Sequence, residues 1–195
     1  SLFRALTLAG NRTKHELMVP LSTLPQPCDN PALAPRTARL GLEEAWGEGA
    51  PGRVGATLFG LVRAAEGDDR PVVVAAASAW LREQGRWFRD GLSLAGLPDR
   101  RLLFIETPKD AQTLWALEEC LKSDAVAGAV AAADAVTLLA SRRLDMVARQ
   151  AGASCLLLRT QPAKDISAAR RRWSIAPAPS APHPYDAEAP GAARI

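Results

Sequence analysis

Four short segments of this chain have continuously apolar interiors: "PVVVAAA" (71–77), "RLLFIE" (101–106), "AVAGAVAAA" (125–133) and "SCLLLRT" (154–160). A strand half-open to water alternates apolar and polar side chains, whereas a continuous apolar run is buried on both faces. The intervening stretches have helical spacing. Leu114, Leu117 and Leu121 recur on one face of "TPKDAQTLWALEECLK", with Thr107 as N-cap, Pro108 at the first helical position and Asp110 in the first turn. Leu144, Val147 and Ala151 do the same further on, with Gly152 as C-cap. With "RLGLEEAW" (39–46) and "RRRWSIA" (170–176) as further strands, the expected fold is α/β. It is a parallel sheet, mixed at one edge, with helices on both faces.

The flanks differ from this core. Five prolines between Pro20 and Pro35 forbid a regular helix, so residues 1–37 read as an arm, with an amphipathic helix near Leu2–Val19 followed by a Pro-rich connector. Residues 38–176 form the core domain. Residues 177–195, "PAPSAPHPYDAEAPGAARI", are a Pro/Ala-rich extended tail without a core of its own. No apolar run approaches the roughly 20 residues that cross a bilayer. The start lacks a signal-peptide pattern. Three cysteines, far apart and odd in number, fit free thiols in a reducing cytoplasm. Two histidines, one in the arm and one in the tail, assemble no metal site. Net charge is +3, yet residues 140–175 hold eight basic and two acidic groups, a local excess that suits a polyanion or a solvated basic surface.

Between the first core strand and the helix-like "TLFGLVRAAE" (57–66) lies "GAPGRVGAT" (49–57). A Gly-rich turn from strand to helix is the setting of a phosphate loop, G-x-x-x-x-G-K-[ST]. The best register uses Gly49, Gly52, Gly55 and Thr57, but places Ala56 where the phosphate-binding Lys belongs. "PVVVAAASAW" ends in alanines where a water-activating Glu is needed. Ala131 and Ala132 stand where a metal-holding Asp is needed, and Asp134 comes too late and reads as a helix cap. The expectation is a vestigial loop, with no catalytic residues, no cofactor and no metal.

The order of these elements resembles the RecA recombinase core over about residues 38–194. The phrases "LLFIETPKDAQTLWALEECLKSDAVAGAV", "LLASRRLDMVARQAGASCLLLR", "SAARRRWSIAPAPSAP" and "YDAEAPGAAR" resemble ImuA-type damage-inducible mutagenesis proteins. The arm before Pro35 carries no such match, and the chain stops at "AARI" where the family continues. The resemblance implies a RecA-like fold and a non-catalytic accessory role in SOS-induced error-prone translesion synthesis. The implied partners are RecA and an ImuB-type inactive polymerase, with a DnaE-type polymerase reached indirectly. Single-stranded DNA and self-association are further expectations. A DNA-dependent ATPase using Arg53 in place of the Lys, or a SulA-type division inhibitor, are the alternatives.

Candidate DNA or partner contacts follow. Arg142 and Arg143 open a helix face and read either as phosphate contacts or as a solvated face with an Asp145–Arg149 pair. Arg170, Arg171 and Arg172 are the densest basic run, beside Trp173, but alternate strand positions point to opposite faces. Trp80, Trp87 and Trp115 offer stacking surfaces for bases or, among Leu and Phe, packing in the core or against a subunit.

Overall fold

A computed structural model of the chain describes residues 6–8, 40–94, 97 and 99–176. The strands are β1 (Leu6–Leu8), β2 (Gly41–Gly47), β3 (Val72–Ala77), β4 (Leu102–Thr107), β5 (Gly128–Ala132), β6 (Ser154–Arg159) and β7 (Arg171–Ile175). The helices are α1 (Gly49–Ala65), α2 (Ser78–Gln84), α3 (Arg89–Leu94), α4 (Asp110–Lys122) and α5 (Leu138–Gln150), with a 3-10 turn at Asp99–Arg101. All strands form one sheet ordered β1-β7-β2-β6-β5-β3-β4. The six strands from β7 to β4 are parallel, and β1 closes one edge antiparallel to β7. The expected α/β class is what the molecule adopts.

Each face of the sheet has its own core. On one side α1 packs with Leu61, Val72, Val74, Val130 and Leu156, and the α2–α3 segment extends this layer over β3 and β4. On the other, α4 and α5 bury Leu117, Leu121 and Leu144 against Val73, Ala129 and Leu157. β3 and β5 are buried at every position, as their unbroken apolar sequences require, whereas β4, expected to be buried likewise, is an edge strand with Leu103 and Glu106 exposed. Truncating one of the fully buried leucines costs about 2–5 kcal/mol.

Several local expectations change. Leu6–Leu8 is a strand, not part of a helix, and the rest of the arm, like the tail from residue 177, lies outside the described residues. Thr107 does not cap α4. It ends β4, and its hydroxyl sits 2.5 Å from that of Thr113, while Lys109 occupies the N-cap without a side-chain bond. Gly152, at φ +61°, follows the α5 C-cap Ala151 as expected of a left-handed terminator. Among the described residues, no helix is long and apolar enough to cross a membrane.

Candidate functional site

The stretch read as a phosphate loop is helical. β2 ends at Gly47 and α1 begins at Gly49, with Glu48 alone between them. Gly49 makes the turn with φ +64°, and Gly52 N–H donates to Glu48 O at 3.2 Å as the helix starts. Gly49, Gly52, Gly55 and Thr57 therefore all lie within the first nine residues of α1, and the expected loop geometry is corrected. The glycines serve close packing. A Cβ on Gly47 would stand 2.0 Å from Gly52 O, and one on Gly55 would stand 3.2 Å from Ile175 Cγ2. The Thr57 hydroxyl donates to Arg53 O at 3.0 Å, within its own helix. Ala56 faces the core, where a Lys would bury its charge.

At the ends of β4, β5 and β6 a hydrogen-bonded seam replaces the expected helix cap at Asp134. Asp134 accepts from Thr160 N–H at 2.9 Å and from the Thr160 hydroxyl at 2.7 Å. The Asp134 and Ala135 amides donate to Asp110 Oδ2 at 3.0 and 2.9 Å. Thr137 caps α5 instead, accepting from Ala140 N–H at 3.2 Å.

The late arginine run divides by face, as strand alternation demands. Arg171 donates to Glu43 Oε1 at 3.0 Å on the α1 side, and Trp173, only 1% exposed, donates Nε1–H to Glu43 Oε2 at 3.0 Å. Arg63 from α1 completes this cluster with bonds of 2.6 and 2.9 Å to the two oxygens. On the opposite face Arg172 Nε lies 3.1 Å from Glu44 Oε2, paired as charges but not aligned as a hydrogen bond. Arg172 also binds Ala163 O, Asp165 O and the Ser167 hydroxyl, tying down the crossover from β6. Only Arg170 leaves its side chain exposed, while its amide donates to Leu42 O. The three arginines and Trp173 thus form no shared surface. Glu43, Glu44 and Arg63 escape the sequence reading, and the available signal is two adjacent carboxylates inside an otherwise apolar strand.

Arg143 lines a groove between α4 and α5, whereas Arg142 is not among the residues that line it. The groove encloses about 170 Å³, with Ala111, Leu114, Trp115 and Glu118 on one wall and Ala140 and Arg143 on the other. Trp115 is 61% exposed, because the buried stripe of α4 runs through Leu114, Leu117 and Leu121 and leaves position 115 outward. Arg143 NH2 bonds Glu118 Oε1 at 2.9 Å, and Lys122 Nζ lies 2.8 Å from Glu118 and from Glu119. The Lys122 hydrogen bond, with Arg143 behind it and burial opposing, holds the Glu118 carboxyl below the usual carboxylate range. Arg142 is exposed and has no ion pair among the described residues. Trp80 and Trp87 are elsewhere, stacked on each other at 5.8 Å beside Phe104. The expected Asp145–Arg149 pair forms at 3.1 Å.

The groove offers an apolar floor, an indole wall and a charged rim, which suits one large side chain of a partner better than bond-making chemistry. Burial pushes the Cys155 thiol up to about 12, and burial with Glu119 nearby raises Cys120, so neither thiol is poised as a nucleophile. Among the described residues no group of three His, Cys, Asp or Glu side chains is placed to hold a metal ion.

No family model matches the chain. Protein ImuA of Caulobacter vibrioides, from strains NA1000 / CB15N and ATCC 19089 / CB 15, is 36% identical over 120 residues, covering 56% of this chain and 49% of the relative. The chain spans about half the length of the curated relatives it matches. Among solved structures, SulA from Pseudomonas aeruginosa has a TM-score of 0.50 at 23% identity, covering 62% of this chain and 98% of that one. That likeness concerns the fold alone.

Proposed function

Taking the chain as ImuA-type on the strength of this similarity, we propose that it is a non-catalytic accessory protein of SOS-induced mutagenic DNA synthesis. The observation that carries the reading is the 36% identity to ImuA over 120 residues. In this reading the chain has a RecA-like ancestry without a working nucleotide site. The immediate passage from β2 into α1 and the inward-facing Ala56 support that part. The chain acts by binding RecA and an ImuB-type inactive polymerase, and a DnaE-type polymerase joins through the latter. The α4–α5 groove, with Trp115 and Arg143 at its walls, is the docking surface. Single-stranded DNA contact falls to Arg142 and Arg170, whose guanidinium groups have no described partner.

Pull-down of the wild-type chain with RecA and with the ImuB-type protein tests the proposal, repeated with Arg142→Glu, Arg143→Glu and Trp115→Ala. Association with at least one partner, weakened by the groove variants, is expected. Absence of association with either partner overturns the reading. Phosphate release with and without single-stranded DNA separates it from an ATPase, for which a DNA-stimulated rate is the signature.

A further inference from the structure

α5 buries one side only. Ser141, Leu144, Val147 and Ala148 face inward, which turns Leu139 and Met146, two helical turns apart, to the opposite side, where they are 69% and 47% exposed. Exposed Trp115 stands across the groove from this crest. Apolar residues exposed singly are ordinary, but several large ones gathered along one helix and its neighbour mark a contact surface.

The two flanks of the crest differ in charge. Toward α4, Arg143 is paired with Glu118 and adds no net charge. The other flank faces the crossover from β6, which is held to α5 where Ala168 N–H donates to Ser141 Oγ at 3.0 Å. Arg142 and Arg149 lie on this side of α5, two turns apart. Arg149 is taken by Asp145, but Arg170 comes up beside it: Arg149 Cγ and Arg170 Cδ stand 3.2 and 3.3 Å from where a Cβ on Gly41 would lie. Arg142 and Arg170 are exposed, and neither guanidinium has an ion pair among the described residues. Lys164 and Asp165 of the crossover cancel in sum. This flank therefore holds two unanswered positive charges spaced by about two helical turns, roughly 10 Å. A polynucleotide would answer the cations but set phosphates against Leu139 and Met146. A second copy packed crest to crest would bring the same two cations against themselves. An acidic amphipathic helix answers both features. Bulky apolar side chains two turns apart meet Leu139 and Met146 and reach Trp115, while carboxylates at the same spacing on one flank meet Arg142 and Arg170.

We infer that the outward face of α5 docks an acidic amphipathic helix of a partner protein, its apolar seam on Leu139, Met146 and Trp115 and its carboxylates on Arg142 and Arg170. This rests on the docking role given above to the groove and names the chemistry of what docks there. Fluorescence anisotropy on the full chain tests it with two labelled synthetic helices of about 18 residues. Both carry a Leu seam at alternating three- and four-residue spacing, one flanked by Glu and the other by Lys. The Glu helix is expected to bind with a Kd on the order of 10–100 µM, and the Lys helix at least about tenfold more weakly. Leu139→Ser combined with Met146→Ser weakens the Glu helix at least about tenfold, with circular dichroism melts confirming that the variant folds. Arg142→Glu combined with Arg170→Glu reverses the preference toward the Lys helix. A Glu helix unbound at about 500 µM, or bound equally well by the Leu139–Met146 variant, overturns the proposal. So does an oligothymidylate of equal charge that binds more tightly than the Glu helix, or self-association through this crest in sedimentation equilibrium. The two readings fail separately. A pull-down of either partner that the Leu139–Met146 variant leaves unchanged sinks this docking mode alone, whereas a wild type that captures neither partner sinks both.

Discussion

Glu43 is the residue on which the α1 face of the sheet depends most sharply. Its two oxygens accept four N–H groups: two from Arg63, one from Arg171 and one from Trp173. Glu43→Gln preserves volume but removes the charge, and turns one acceptor into an NH₂ facing donors. Arg63, whose side chain is 3% exposed, then loses the carboxylate that faces it. Breaking a buried pair from one side costs about 3–5 kcal/mol, mostly as the penalty of the orphaned ion. For a domain of this size each kcal/mol moves the midpoint by about 2–4 °C, so a fall of roughly 6–20 °C is expected. Thermal melts read that fall, and urea unfolding followed by tryptophan fluorescence measures the free energy, with Trp173 as the buried reporter beside the mutated group. Combining Glu43→Leu with Arg63→Met removes both charges and should restore at least half of the loss, because a buried pair replaced by apolar volume is often neutral. A Glu43→Gln protein within about 1 kcal/mol of wild type would refute the role assigned to this cluster.

Further expectations are more local. Gly47→Ala puts a Cβ 2.0 Å from Gly52 O and should cost at least about 2 kcal/mol, measured by the same urea titration. Glu118, whose carboxyl is held low, binds fewer protons folded than unfolded. Its contribution is therefore complete above the ordinary value of 4.5 and is lost as pH falls through the lower folded value. The stability gap between wild type and Glu118→Gln should accordingly narrow on acidification below about pH 4.5, read from thermal melts at several pH values. In a Cys28→Ser background, Cys155 should resist a thiol reagent at about pH 8 until the chain unfolds, and rapid labelling of the native protein at that position would contradict its burial.

What the sequence reveals and what it hides follow from how far each signal reaches. The unbroken apolar runs announce β3, β5 and β6 because burial on both faces is a local demand. "GAPGRVGAT" misleads because glycine answers two needs with the same letter. A phosphate loop wants free backbone amides, whereas here Gly47, Gly52 and Gly55 let a helix touch a strand end and Ile175. Trp115 is legible in principle, since it falls off the Leu114–Leu117–Leu121 stripe, but its apolar neighbours suggest a buried position. Strand alternation alone puts Arg171 and Arg172 on opposite faces. Their partners Glu43 and Glu44 lie 128 positions earlier, and only the β2–β7 register brings them together.

That long-range pairing has a consequence for how the chain is made. Glu44 is 2% exposed, and the cation beside it arrives with β7, almost at the end of the core. Until that strand emerges from the ribosome, β2 has one carboxylate with no described counter-charge and another with only Arg63, so neither face of β2 can be sealed. The nascent domain must wait for β7. A chain released before Arg171 keeps most of its apolar core sequence and still lacks the charges that let the sheet close.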